Sequence, residues 1–334
     1  MIQAGGAGTT VLTGENSYTG NTFIAGGTLQ IGDGETTGSI IGGVLNEGIL
    51  AVNRSNNYNF EGLIVGTGSF VQAGPPGMTI LTADNAYYGG TTIAHGTLQL
   101  GNGGNSGWIE GDVVNNGTLA FNRSNAVLFS GAISGSGNVN QIGAGTTVLA
   151  GENSYTGGTI IQSGALVIGN GGMTGSIKGN VENDGILAFN RADTMTYAGT
   201  ISGSGGVQQI GRGTTILTGS NNYTGATTIA AGRLQIGNGG TSGSITGHVL
   251  NDGTLAFNRS DTVTFDGMVW GGEGKLEQAG AVHSFLPAEI SMAVASLYPP
   301  AHCNWGGMAA KMARLPPMSR TMGSSSSIVL ERSC

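Results

Sequence analysis

Acidic side chains are the first place to look for chemistry in this sequence, because enzymes that cleave polysaccharides gather Asp or Glu with Arg or Lys on one face to move protons at a glycosidic bond. Glu15, Glu47, Asp112, Glu152, Asp184, Asp252 and Asp261 instead stand one or two at a time in loops that recur along the chain. A catalytic site is usually unique, and strongly perturbed acids need a shared cleft. These positions therefore read as solvated loop carboxylates. His95 and His248 fall at unrelated positions, His283 and His302 lie near the C-terminus, and none has metal-ligand spacing. Runs such as Gly169-Asn170-Gly171-Gly172 share only glycine with phosphate-cradling loops: no Lys-Ser/Thr pair follows and no helix begins there. The nine-residue period of calcium-binding glycine repeats is missing as well. No catalytic, cofactor-binding or metal-binding residue is expected, and the chain is expected not to be an enzyme.

The elements that would position such residues are strands. Among 334 residues there are 65 glycines and 9% charged residues, which does not suit an ordinary mixed globular protein. Glycine weakens a helix interior by about 1 kcal/mol per residue relative to alanine, whereas Thr, Ile and Val favour strands. Glycine and serine are interleaved with Val, Ile, Leu and Phe, and 38% hydrophobic content is enough for a core. A net charge of −7 without a basic stripe argues against nucleic acid. Cys303 and Cys334 both lie near the C-terminus, so the rest of the chain carries no disulfide or thiolate site. Met1-Ile2-Gln3-Ala4-Gly5-Gly6 has neither the charged nor the apolar region of a signal peptide, and no apolar stretch reaches membrane-spanning length.

A repeat dominates the chain. Tyr18, Tyr87, Tyr155 and Tyr223 sit in near-identical settings, at spacings of 69, 68 and 68. The pairs Asn53-Arg54, Asn122-Arg123, Asn190-Arg191 and Asn258-Arg259 keep those spacings, as do Asn46, Asn115, Asn183 and Asn251. Copies are placed at about 3–71, 72–140, 141–208 and 209–277. Short β-branched runs such as Thr214-Thr215-Ile216-Leu217, bounded by glycine, read as strands, and Asn238-Gly239-Gly240 as a turn. A unit of 68 divides into about three coils of roughly 23 residues in a parallel β-helix. Stacked coils put apolar residues in columns. Asn46, Asn115, Asn183 and Asn251, with Asn53, Asn122, Asn190 and Asn258, are candidates for a hydrogen-bonding ladder that also satisfies turn carbonyls. That role explains the glycosylation sequons at Asn53, Asn122 and Asn258 more simply than a sugar does.

The pattern Gly-x-Gly-Thr-Thr-Val-Leu-Thr-Gly-x-Asn-x-Tyr-Thr-Gly-x-Thr-x-Ile-x-x-Gly-x-Leu-Gln-Ile-Gly, seen over 143–169 and 211–237, closely resembles the autotransporter-associated β-strand repeat. The resemblance covers residues 3–280. It implies an all-β, right-handed parallel β-helix from the passenger region of a Gram-negative autotransporter, displayed at the cell surface. It also implies partners: neighbouring passenger repeats, a C-terminal outer-membrane β-barrel and a host-cell or matrix ligand of unstated identity. A structural and adhesive passenger segment is the expected function, with a β-helical carbohydrate-active enzyme or binding module as the alternative. Signal peptide and barrel are both absent from the sequence, which reads as a truncated, non-functional fragment. The second copy departs from the pattern at Pro75-Pro76, where two amide donors are lost.

Beyond Ala281 the character changes. Residues 281–334 hold five of the seven prolines, both cysteines and three of the 65 glycines. Codons shifted by one base restore the repeat: Val282 to Ala288 admits Gly-Ala-Leu-Ile-Leu-Thr-Gly, and Thr321 to Leu330 admits Asn-Asn-Gly-Ile-Leu-Val-Phe-Asn-Arg-Ser. The stretch 281–334 is therefore expected to be an irregular tail, the frameshifted remnant of a fifth copy.

Overall fold

A computed structural model describes residues 1–74 and 76–280, together with the backbone of two short strands at 284–285 and 290–292. Every regular element among them is a strand, and the strands pair in parallel. Most of the tail, including the residues expected to be irregular and frameshifted, lies outside the described residues, as does Pro75.

Residues 1–191 and residues from 192 onward form two compact units. In the first, the chain winds through three stacks of strands, visiting each once per coil. One stack runs Thr9–Leu12, Thr28–Ile31, Ile49–Val52, Ser69–Gln72, Thr91–Ile93, Val113–Asn115 and Ile133–Ser134. A second runs Asn57–Phe60, Met78–Leu81, Thr97–Leu100, Thr118–Phe121, Asn138–Gln141, Thr159–Ile161 and Val181–Asn183. The third holds Ile2–Gln3, Thr22–Ile24, Val44–Asn46, Ile64–Gly66 and Ala86–Tyr87, then Ala126–Phe129, Thr146–Leu149, Ala165–Ile168 and Ile186–Phe189. Residues 192 onward repeat the scheme with Thr194–Tyr197, Thr214–Leu217, Arg233–Ile236, Thr254–Phe257 and Lys275–Gln278 in one stack, and Gly206–Gln209, Thr227–Ile229, Val249–Asn251, Val269–Gly271 and Ile290–Met292 in another.

Alternation decides which side chains enter the core. Within Thr28–Ile31, Leu29 and Ile31 are buried while their neighbours are partly exposed. Register then builds columns: Leu29 lies beside Leu50 and Leu50 beside Phe70, while Leu98 is followed by Leu119 and Val139. Each such side chain is at most 2% exposed, and its burial stabilises the coil by about 1.5–3 kcal/mol.

Coils are shorter than an even division of the repeat into three would make them. Thr9 pairs with Thr28, Thr28 with Ile49, Ile49 with Ser69 and Thr91 with Val113, so one coil takes about 20 residues. The second copy contributes nine strands, from Met78–Leu81 to Asn138–Gln141, plus a single bridge that brings Trp108 onto Asp84. Ten positions at three per coil make three and a third coils. Each copy therefore begins one stack further round: Thr9–Leu12, Met78–Leu81 and Thr146–Leu149 are equivalent in sequence but occupy the first, second and third stacks of the first unit.

Candidate functional site, an arginine clasp shared by three coils

The recurring Arg of each Asn-Arg pair reaches back to the main chain of the preceding coil. In the second copy, the strand Thr97–Leu100 ends at Gly101, and the loop to Trp108 turns through Gly101, Gly103 and Gly107, all with φ between +82° and +100°. A Cβ at Gly101 would lie 2.6 Å from the Asn122 carbonyl oxygen and 2.9 Å from Arg123 Cγ, so a side chain has no room. This turn aims carbonyls inward. Arg123, on the following coil, donates from Nη1 to the Gly107 carbonyl at 3.0 Å and from Nη2 to the Asn105 carbonyl. Its Nε donates to Asn125 Oδ1 at 3.0 Å. From the preceding coil, Asp84 Oδ1 accepts from Arg123 Nη1 at 2.9 Å and from the Gly107 N–H at 3.0 Å. The Arg123 side chain is 7% exposed and that of Asp84 60%. Guanidinium suits this place because its fork meets several carbonyls at once.

The other copies vary the acid and keep the carbonyls. Arg54 donates to the Gly38 and Thr36 carbonyls, lies 3.6 Å from Glu15 and stacks 5.0 Å from the Tyr58 ring centroid. Arg191 reaches the Gly175 and Met173 carbonyls at 2.8 and 2.5 Å, with Glu152 at 3.3 Å. In the fourth copy Ser220 takes the acid's place. Arg259 holds the Gly243 and Thr241 carbonyls, each at 2.5 Å, and turns to Asp261, at 2.8 Å from Nε and 2.6 Å from Nη2. Those bonds hold the Asp261 carboxyl below the usual carboxylate range. Glu15, Glu152 and Asp261, expected from the sequence to be solvated, thus carry an ion pair each, Glu15 and Glu152 while staying exposed and Asp261 half-buried.

The eight candidate asparagines separate into two behaviours. Asn46, Asn115, Asn183 and Asn251 are fully buried. Asn46 Nδ2 donates to the Ser69 carbonyl one coil on, at 2.9 Å, and its Oδ1 accepts from the Gly48 N–H. Asn115 repeats this with Asn138 and Gly117, and Asn251 Nδ2 reaches the Lys275 carbonyl. Asn46, Asn115 and Asn183 close strands of the third, first and second stacks, so they do not stack on one another. Asn53, Asn122, Asn190 and Asn258 are half-buried. Their main-chain carbonyls accept from Gly34, Gly103, Gly171 and Gly239, each at 2.8 Å, and so fix the glycine loops.

A third set of asparagines, to which the sequence pattern assigns no role, spans three coils. Asn85 Oδ1 accepts from the Ile64 N–H on the preceding coil, and Nδ2 donates to Trp108 O on the next and to Ala83 O on its own. Asn153 and Asn221 repeat the pattern. Its signal in the sequence is the Asn two residues before each recurring Tyr. Those tyrosines point inward: Tyr87, Tyr155 and Tyr223 are fully buried, each with its hydroxyl 2.6–2.8 Å from Thr91, Thr159 or Thr227 Oγ1. Burial pushes the three phenols well above their ordinary pKa, against a smaller downward pull from the threonine. Gln72 and Gln141, buried at strand ends, accept from Thr79 and Thr147 at 2.5 and 2.7 Å. Among the described residues, no three His, Cys, Asp or Glu side chains come together as a metal site would require.

Residues 4–31, 70–100, 139–168 and 207–236 match the model of the passenger-associated-transport-repeat. The Asn85, Tyr87 and Thr91 set falls inside the second of these stretches, while Arg123 lies outside it. The adhesin BmaC autotransporter of Brucella suis biovar 1 (strain 1330) is 35% identical over 188 residues, which is 50% of this chain and 6% of that protein. The chain thus spans a small part of that relative's length. No solved structure matches the chain.

Proposed function

Since the chain carries four passenger-associated-transport-repeats, we propose that it is a structural and adhesive segment of an autotransporter passenger, displayed on the surface of a Gram-negative cell, with no catalysis of its own. The observation that supports this reading is the clasp. The recurring arginines, each paired with Glu15, Asp84, Glu152 or Asp261, are engaged in closing glycine loops between coils. In this reading the eight candidate asparagines are structural. The partners are neighbouring repeats, an outer-membrane β-barrel in the intact protein and a ligand on host cells or matrix.

The test is display. The segment, placed between a signal peptide and an autotransporter barrel in a non-adherent Gram-negative host, is expected to be cleaved by protease added to intact cells and to raise adherence to cultured epithelial cells. Protection from added protease would sink the passenger reading, and display without adherence would sink the adhesive part. We also propose that residues 281–334 are the out-of-frame product of a fifth copy. Genomic DNA whose shifted frame does not continue the repeat would exclude that.

A further inference from the structure

One face of the first copy is unlike its counterparts in the second and third. The outward positions of the third stack there are Phe23, Leu45 and Val65, adjacent by register, with Leu63 alongside, its carbonyl accepting from the Val44 N–H. Ile41 leads into the same strand. Ile41, Leu45 and Leu63 are 55%, 42% and 47% exposed. Equivalent positions read Thr92, Glu110, Val114, Ala132 and Ser134 in the second copy, and Ile160, Lys178, Glu182, Thr200 and Ser202 in the third, while the fourth has Thr228, Thr246, Leu250, Met268 and Trp270, a smaller apolar set between Asp252 and Asp266 in which Met268 and Trp270 are 41% and 37% exposed. The fold thus tolerates charge at these sites, so the apolar set is not required for the coil.

The margins carry one sign of charge. Glu61 stands where the chain enters this strand stack at Leu63, and Glu47 where it leaves at Asn46, and both are exposed. The first copy holds five acids, Glu15, Asp33, Glu35, Glu47 and Glu61, and a single basic side chain, Arg54, which is buried in its clasp. A second copy of this face would bring carboxylates against carboxylates, a juxtaposition that disfavours self-pairing.

We propose that this strip docks a protein segment with an apolar stripe flanked by Lys or Arg, a cationic amphipathic partner. Apolar contact comes from Phe23, Ile41, Leu45, Leu63 and Val65, while Glu47 and Glu61 select the sign of the flanks. This stands on the geometry of the first copy and does not depend on surface display.

The probes are two synthetic amphipathic helical peptides of the same pattern, one Leu/Lys and one Leu/Glu, titrated against the full chain by fluorescence anisotropy. The Leu/Lys peptide is expected to bind, more weakly as salt rises, and the Leu/Glu peptide not to bind. Ile41→Lys with Leu45→Glu, Leu63→Thr and Val65→Ser, combined with Leu250→Glu, Met268→Thr and Trp270→Ser in the fourth copy, gives both faces the third copy's residues and should weaken binding at least ten-fold. Glu47→Gln with Glu61→Gln should weaken it and flatten the salt dependence. The reciprocal Lys178→Ile with Glu182→Leu should raise the apparent stoichiometry, which covers the case in which the first variant fails to fold. Equal binding of both peptides, or binding indifferent to the first variant when that variant is folded, overturns the proposal. So does concentration-dependent dimerisation in sedimentation that the first variant abolishes, since the strip's occupant would then be a second copy of the chain.

Discussion

Removing Arg123 separates the two things its clasp does. Arg123→Ala leaves the Gly107 and Asn105 carbonyls without their donors and strips the stem that packs on Gly101. The Gly107 carbonyl is buried, so its loss costs about 1–3 kcal/mol, the partly buried Asn105 carbonyl about 1, and the lost packing about 1. The ion pair with Asp84 adds about 0–1 kcal/mol, because that carboxylate is 60% exposed and its attraction is screened by solvent. Together these come to about 3–6 kcal/mol, most of it from carbonyl capture. Asp84→Asn keeps an oxygen for the Gly107 N–H and for Arg123 and should cost under about 1 kcal/mol. Because stacked coils need not unfold in one step, the assay is hydrogen exchange at Gly101, Gly103 and Ser124, whose N–H groups bond to neighbouring coils. Arg123→Ala should speed exchange there by a hundred-fold or more, and Asp84→Asn by less than ten-fold. Equal effects of the two substitutions would refute the reasoning and make the ion pair the larger contribution.

Three further outcomes follow from the same geometry. Gly107→Ala, at φ +100° and with its Cβ 2.6 Å from the Leu81 carbonyl oxygen, should cost at least about 2 kcal/mol in a urea titration, and a silent substitution would mean the loop can rebuild. From neutral pH to about 10 these phenols should leave stability level, and above it stability should fall: the unfolded chain then releases phenol protons that Tyr87, Tyr155 and Tyr223 retain when folded, at about 1.4 kcal/mol per pH unit for each tyrosine. Phenolate absorbance that rises before circular dichroism is lost would contradict their burial. Val52 stands where the other copies have Phe121, Phe189 and Phe257, beside a gap lined by Ile31, Ile40, Leu50, Tyr58, Phe60 and Phe70. Val52→Phe should therefore add about 1 kcal/mol of stability, read as a higher urea midpoint, and a lowered midpoint would show that Tyr58 already fills the space.

Much of this was legible from residue types. The recurring Tyr and Asn-Arg settings marked four copies, and Thr214-Thr215-Ile216-Leu217 between glycines marked a strand that is there. Period-two alternation exposes which side chains a strand buries, so Leu29, Leu50 and Phe70 follow from pattern alone. The fractional coil count did not, because a repeat length constrains the product of coils and residues per coil and leaves each free. Trp108 takes its place in a coil through a single bridge to Asp84, too brief to give a strand signal. The clasp was hidden for a related reason. Arg123 meets Asp84 across a sequence separation of 39, which acquires meaning only once coils of about 20 residues stack. Glu15 and Glu152, which looked solvated one by one, are partners of a cation two coils away.

The central claim is that the recurring charged residues hold coils together and perform no reaction. The most direct measurement uses the displayed segment with Glu15→Gln, Asp84→Asn, Glu152→Gln and Asp261→Asn combined, scored for protease resistance, taken as the protease dose needed to cleave it from intact cells, and for adherence, beside a variant with Arg54, Arg123, Arg191 and Arg259 all replaced by Met. The account predicts that the amide variant matches the parent in both, and that the Met variant loses protease resistance. An amide variant that keeps its resistance and loses its activity would show that these carboxylates act on a ligand, and would contradict the account.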